Sequence, residues 1–157
     1  MTGGKLVLTE RQRLILKGKI CPYCGKLTEY VDSAEIYGKS YGMIYICRDC
    51  RAYVGVHDGS SKALGRLANE ELRKLKNEAH YYFDKIWKVD YMSRREAYTW
   101  LSEQLKLPIK YTHIGMFSEK TCKDVIYLSK QFLNDSRRLD MDFGAEPRTP
   151  YYDYIKI

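Results

Sequence analysis

Cys21-Pro22-Tyr23-Cys24-Gly25 and, 22 intervening residues after Cys24, Cys47-Arg48-Asp49-Cys50-Arg51 decide how the first half of this chain is read. Two residues between thiolates let both sulfurs of a knuckle face one ion, with backbone amides turned toward them. Two such knuckles complete a tetrahedral shell for Zn²⁺ with Zn–S near 2.3 Å. Gly25 follows the second ligand, where a knuckle turns tightly. Cys21, Cys24, Cys47 and Cys50 are therefore expected to hold one structural zinc ion. A closed four-sulfur shell leaves no open position for water, so the ion is expected to stabilise and not to catalyse. A thioredoxin-like use of the C-x-x-C pairs would need a βαβ context, which the flanking sequence lacks. Iron suits four thiolates as well, and metal analysis separates the two.

The sequence around the knuckles reads as β structure. Tyr30-Val31 leads on to Ile36-Tyr37, and Gly38 to Gly42 supplies a turn. Ile44-Tyr45-Ile46 then runs into Cys47, and Ala52 to Val56 forms a third β-prone run. Before the first knuckle the chain is basic, with Lys5, Arg11, Arg13, Lys17 and Lys19 against Glu10. There Thr9 and Gln12 have the spacing of a capping box that would start a short helix. Leu14-Ile15-Leu16 with Ile20 fits a strand entering the metal site equally well, and the sequence leaves both open.

Beyond the ribbon the period changes from two to 3.6. Asn69 is an N-cap with Glu70 and Glu71 in the first turn, and Leu72, Leu75, Ala79, Phe83 and Ile86 recur on one face. Ser93 and Glu96 open a second helix with Ala97, Trp100, Leu101 and Leu105 as its stripe, and Pro108 follows its end. A third follows Ser118, with Cys122, Val125, Ile126, Ser129, Phe132 and Leu133 on one side. The fold class expected is α+β: an N-terminal three-stranded zinc ribbon, a three-helix region and an extended C-terminal tail. The boundaries expected are a basic segment 1–20, the ribbon 21–62, a helical region 63–133 packed with it, and the tail 134–157.

The 157 residues make one ordinary domain or two small modules, 45% apolar and 30% charged. No run approaches the roughly 18 apolar residues that span a bilayer, so no membrane partner is expected. The N-terminus has no apolar h-region, so neither a signal peptide nor disulfides are expected, and the expected location is cytoplasmic. The net charge of +7 favours an anionic partner, nucleic acid above all.

From Cys21 to about Leu133 the chain resembles the bacterial and phage zinc-finger-containing domain family, a domain of unknown function. The resemblance is carried by CPYCG (21–25), YVDSAEIYG (30–38), IYICRDCRAYVGVHDGS (44–60), LGRLANEELRKLKNEAHYYFD (64–84), SRREAYTWLSEQL (93–105) and HIGMFSEKTC (113–122). It implies a zinc ribbon joined to a helical region as one unit, and no activity. In one respect the chain departs from the family. Where the family commonly carries proline after the histidine of this stretch and threonine two residues later, this chain has Asp58 and Ser60.

Outside the zinc ligands, three further groups of residues offer candidate chemistry. His57, Asp58, Gly59, Ser60 and Ser61 could bind a phosphate through loop amides, or a hydrolase or nuclease could use His57 and Asp58. A plain turn is the favoured reading. His80 and Asp84 at i, i+4 could orient an imidazole, but a polar helix face explains them as well. Cys122 with His113 suggests a nucleophile, yet Cys122 falls on an apolar stripe, where a thiol is inert. No catalytic residue is therefore assigned, and no enzyme is expected. The expected function is nucleic acid contact, DNA or RNA, through Lys39, Arg48, Arg51, Lys74, Lys76, Arg94 and Arg95. The alternative is an interaction adaptor in a larger assembly, such as a phage one, docking through the tyrosine-rich tail.

Overall fold

The computed structural model of the protein describes residues 6–135. The expected tail beyond Asp135, with its tyrosine cluster, lies outside the described residues. The elements run α1 (Glu10–Leu16), β1 (Glu29–Asp32), α2 (Ala34–Tyr37), β2 (Met43–Cys47), β3 (Ala52–Gly55), α3 (Glu70–Lys88), α4 (Arg94–Leu105) and α5 (Glu119–Asp135). Short 3₁₀ turns at Ile109–Tyr111 and Ile114–Met116 lie between the last two helices. The chain divides into two compact units, and the division falls between Arg73 and Lys74, inside α3.

Of the two readings left open before the first knuckle, the helix is the one formed. Thr9 Oγ1 accepts from the Gln12 amide at 3.1 Å, and Gln12 Oε1 accepts from the Thr9 amide at 2.8 Å. Two orphan donors are thereby satisfied at the start of α1.

In the first unit, β1, β2 and β3 form an antiparallel sheet in that order. The register pairs Tyr30 with Tyr45 and Val31 with Ile44, then Ile46 with Tyr53 and Cys47 with Ala52. Alternation sends Tyr45, Cys47, Ala52 and Val54 into one cluster with Cys21, Val56 and Leu67. Ile44, Ile46 and Tyr53 enter a second cluster, flanked by Val31 and Tyr37. Both faces of β2 and β3 are covered, which is why these strands read as continuous apolar runs.

Two differences from the sequence reading concern this unit. Ile36 and Tyr37 extend no strand; they lie in the four-residue helix α2, which ends at Gly38 with φ +72°. Asp32 Oδ1 accepts from the Ala34 amide at 2.8 Å, and the Ser33 carbonyl accepts from both Ile36 and Tyr37 at 3.0 Å. Such local bonds compete directly with a sheet ladder. The ribbon also continues past residue 62. Ala63 bridges to Val56, Ala68 bridges to Tyr53, and Leu67 is buried in the ribbon cluster.

The second unit is helical. α4 packs against α5, with Trp100 and Phe132 ring centroids 5.2 Å apart. Phe83 of α3 meets Tyr98 of α4 edge-on at 4.9 Å. Phe83, Ile86, Leu101, Ile114, Val125 and Leu133 are fully buried, and so is Cys122. The N-caps stand where the sequence placed them: Asn69 Oδ1 accepts from Leu72 N at 3.0 Å, and Ser93 Oγ from Glu96 N at 3.1 Å. Among the described residues no helix is long and apolar enough to cross a membrane.

Candidate metal centre

Each ligand pair sits on its own tight turn. In the first knuckle the Gly25 amide donates to the Cys21 carbonyl at 2.9 Å, and the Cys21 amide to Lys26 O at 2.9 Å. Ile20 bridges to Leu27, closing a small hairpin around the turn. The second knuckle follows β2 directly, and the Arg51 amide donates to Arg48 O at 3.3 Å. Gly25 has φ +77° and Arg51 has φ +51°, so the residue after the second cysteine is left-handed in both.

The four sulfurs lie within 4.8 Å of one another, and Cys24 Sγ is 3.6 Å from Cys47 Sγ. A tetrahedral shell with Zn–S of about 2.3 Å has S···S edges of about 3.8 Å. A disulfide would need about 2.05 Å. The cluster therefore fits one zinc ion and no disulfide. Cys21 and Cys47 are buried, Cys50 is half-buried and Cys24 is exposed, so the site faces solvent at one corner.

Crowding four thiols has an electrostatic consequence. The Lys26 backbone amide beside Cys24 draws its thiol down to about 7. Desolvation and the neighbouring sulfurs push Cys50 up to about 12, and burial raises Cys47. Without a cation Cys47 and Cys50 hold their protons; a divalent ion displaces them and lets four thiolates share one centre.

Several contacts that brace the knuckles were not foreseen in the sequence. Lys26 Nζ pairs with Asp49 Oδ2 at 2.7 Å, linking one knuckle to the other across a solvated surface. The Tyr23 hydroxyl accepts from the Asn69 amide at 3.1 Å. Arg73 stacks on the Tyr53 ring at 4.4 Å and donates to Ala68 O at 2.8 Å. The only signal available was the opposite charge of Lys26 and Asp49 beside the ligands. The Tyr23–Asn69 contact joins residues 46 positions apart, which no local pattern announces.

The basic residues expected to meet phosphate are placed unequally. Arg48 is held by two carboxylates, Glu29 at 2.9 Å and Glu35 at 2.6 Å. Arg51 is exposed, and its side chain has no hydrogen-bonding or ionic partner among the described residues. Lys39 lies 5.8 Å from the Tyr41 ring. In the helical unit Lys74 and Arg95 are exposed, and Arg94 lies against Trp87 at 5.6 Å and Tyr98 at 4.8 Å. Lys76 is a correction: it is buried and donates to Gly115 O at 3.0 Å, so its ammonium serves the helical core and is closed to phosphate. His80 Nδ1 meets Asp84 at 3.3 Å, whose other oxygen accepts from Trp87 at 3.3 Å.

Residues 17–132 match the zinc-finger-containing domain family, whose function is unknown. The match takes in all four cysteines, the sheet and most of the helical unit. No curated protein and no solved structure matches the chain. With the paired knuckles and the family match in agreement over most of its length, the chain belongs to the zinc-finger-containing domain family.

Proposed function

We propose that this protein is a non-enzymatic zinc-ribbon protein of the cytoplasm that contacts nucleic acid through a basic surface. The observation that carries the reading is Arg51. Its exposed guanidinium rises from a knuckle that the metal fixes, unengaged by any carboxylate among the described residues. A rigid mount lowers the ordering entropy that binding must overcome. The net charge of +7 adds a general attraction to phosphate. Lys39, Lys74, Arg94 and Arg95 extend the set of cations, while Arg48 already has two acidic partners.

Salt-dependent binding of zinc-loaded protein to DNA and RNA tests this. Arg51→Ala should lower the slope of log K against log salt by about one unit, with sequence preference unchanged. Arg48→Ala should alter the slope less. No binding to either nucleic acid at low salt would transfer the assignment to an interaction adaptor. An adaptor would draw on exposed apolar side chains such as Leu27 and Val7, which are 81% and 76% exposed.

A further inference from the structure

Between the segment Tyr41–Met43 and the loop Val56–Ser61 lies a cleft of about 430 Å³ in the ribbon unit. The aromatic residues Tyr41 and His57, the apolar Met43 and Val56, and the acidic Asp58 are among its lining residues. We propose that this cleft seats an unpaired nucleobase, so that the protein takes single-stranded nucleic acid in preference to duplex. The inference rests on the nucleic-acid reading above and names the substrate class within it.

Both walls are pre-organised. On one side the Tyr41 amide donates to Ser33 Oγ at 2.7 Å, and the Ser33 amide to Gly42 O at 2.9 Å. On the other, the His57 amide donates to Lys62 O at 2.9 Å, Ser60 N to His57 O at 3.0 Å, and Lys62 N to Ser60 Oγ at 2.9 Å. Tyr45 Oη pins the Ser61 carbonyl at 2.6 Å. A cleft that exists before its ligand arrives binds without first ordering a loop.

The same bonds select the ligand. A phosphate would need loop amides, and four of those along the lining (Tyr41, Gly42, His57 and Ser60) are already spent inside the protein. Asp58 in the lining would also repel an anion. A flat heterocycle suits the cleft better: it stacks on aromatic rings and offers N–H donors to a carboxylate. Guanine fits best, because its two adjacent N–H groups match the two oxygens of Asp58. The phosphates of the strand would remain outside, where Lys39 stands over Tyr41 and Lys62 is exposed at the loop's end.

The test is an amide-resolved NMR titration of the zinc-loaded full chain. Guanosine monophosphate, a guanine-containing single-stranded octamer and a duplex of the same sequence are added in turn. The nucleotide and the octamer should shift Gly42, Gly59 and Ser61, with octamer affinity above that of the duplex. His57→Ala and Tyr41→Ala should each weaken the octamer roughly tenfold, and Tyr41→Phe should retain binding because the ring remains. His57 is exposed, so its variant folds even if Tyr41→Ala does not. Octamer and duplex binding alike, without cleft shifts, would overturn the base site and leave the basic-surface reading standing. Cleft shifts with the nucleotide but no oligonucleotide binding would keep the site and remove the basic-surface reading. No shift with either nucleotide or octamer overturns the proposal.

Discussion

The ribbon unit and the helical unit solve the same stability problem with different means. The helical unit buries large side chains completely: Phe83, Ile86, Leu101, Ile114, Val125 and Leu133. The ribbon splits its apolar residues into two small clusters on opposite faces of a three-stranded sheet, and three of the buried or half-buried members are zinc ligands. Short strands with little core need a further tether, and a structural zinc contributes on the order of 10 kcal/mol to folding. Stability in one unit thus resides in buried area, in the other in metal–sulfur bonds.

Metal removal is the strongest way to break that comparison. Purified protein should contain about one zinc per chain, and chelation or Cys47→Ala should abolish ribbon structure while α4 and α5 keep their amide protection. Acidification should act in the same direction. The metal holds the thiols deprotonated in the folded state, below their unfolded pKa values, so its contribution is present at high pH and lost as pH falls. With Cys50 at about 12 and Cys24 at about 7 in the metal-free cluster, loading at neutral pH must expel protons, which calorimetry in buffers of different ionisation heat counts. A metal-free protein with the ribbon's amides still protected would contradict the assignment.

A core deletion should give the complementary result. Phe83 is buried and meets Tyr98 edge-on at 4.9 Å. Phe83→Ala should cost about 3–5 kcal/mol in denaturant unfolding of the helical unit and leave zinc content unchanged. If that variant lost its metal, the two means of stabilisation would not be separate.

The two units also differ in how much of them the sequence disclosed. The ligands, the three strands and the helix caps at Asn69 and Ser93 were legible because each follows from a local pattern: spacing, alternation or a capping residue. Ile36-Tyr37 misled because apolar content alone suggested a strand, while Asp32 and Ser33 were already forming a helical turn. Lys76 looked like one more surface cation. Its burial depends on the Gly115 carbonyl, 39 positions away, which no local pattern announces. The cleft between Tyr41 and His57 was hidden for the same reason, since it exists only once β2 and β3 are paired.

The smallest expected effect comes from comparing the two knuckles with each other. Gly25 and Arg51 occupy equivalent places with φ of +77° and +51°. A left-handed conformation costs an L-residue about 1–2 kcal/mol, which glycine escapes. Glycine gives back part of this through the freedom it loses on folding, about 0.5–1 kcal/mol. Arg51→Gly should therefore stabilise the zinc-loaded protein by about 0.5–1 kcal/mol, read as a higher denaturant midpoint. The Arg73 contact to the Arg51 carbonyl, at 3.5 Å, involves the backbone and survives the change. Arg51→Ala separates strain from charge: it removes the guanidinium but keeps the left-handed cost, so it should not stabilise. Both variants should lose the same unit of salt slope in nucleic acid binding. Stabilisation by Arg51→Gly together with that loss of slope would identify Arg51 as a strained residue that serves binding. Destabilisation by Arg51→Gly would mean that the side chain supports the ribbon instead.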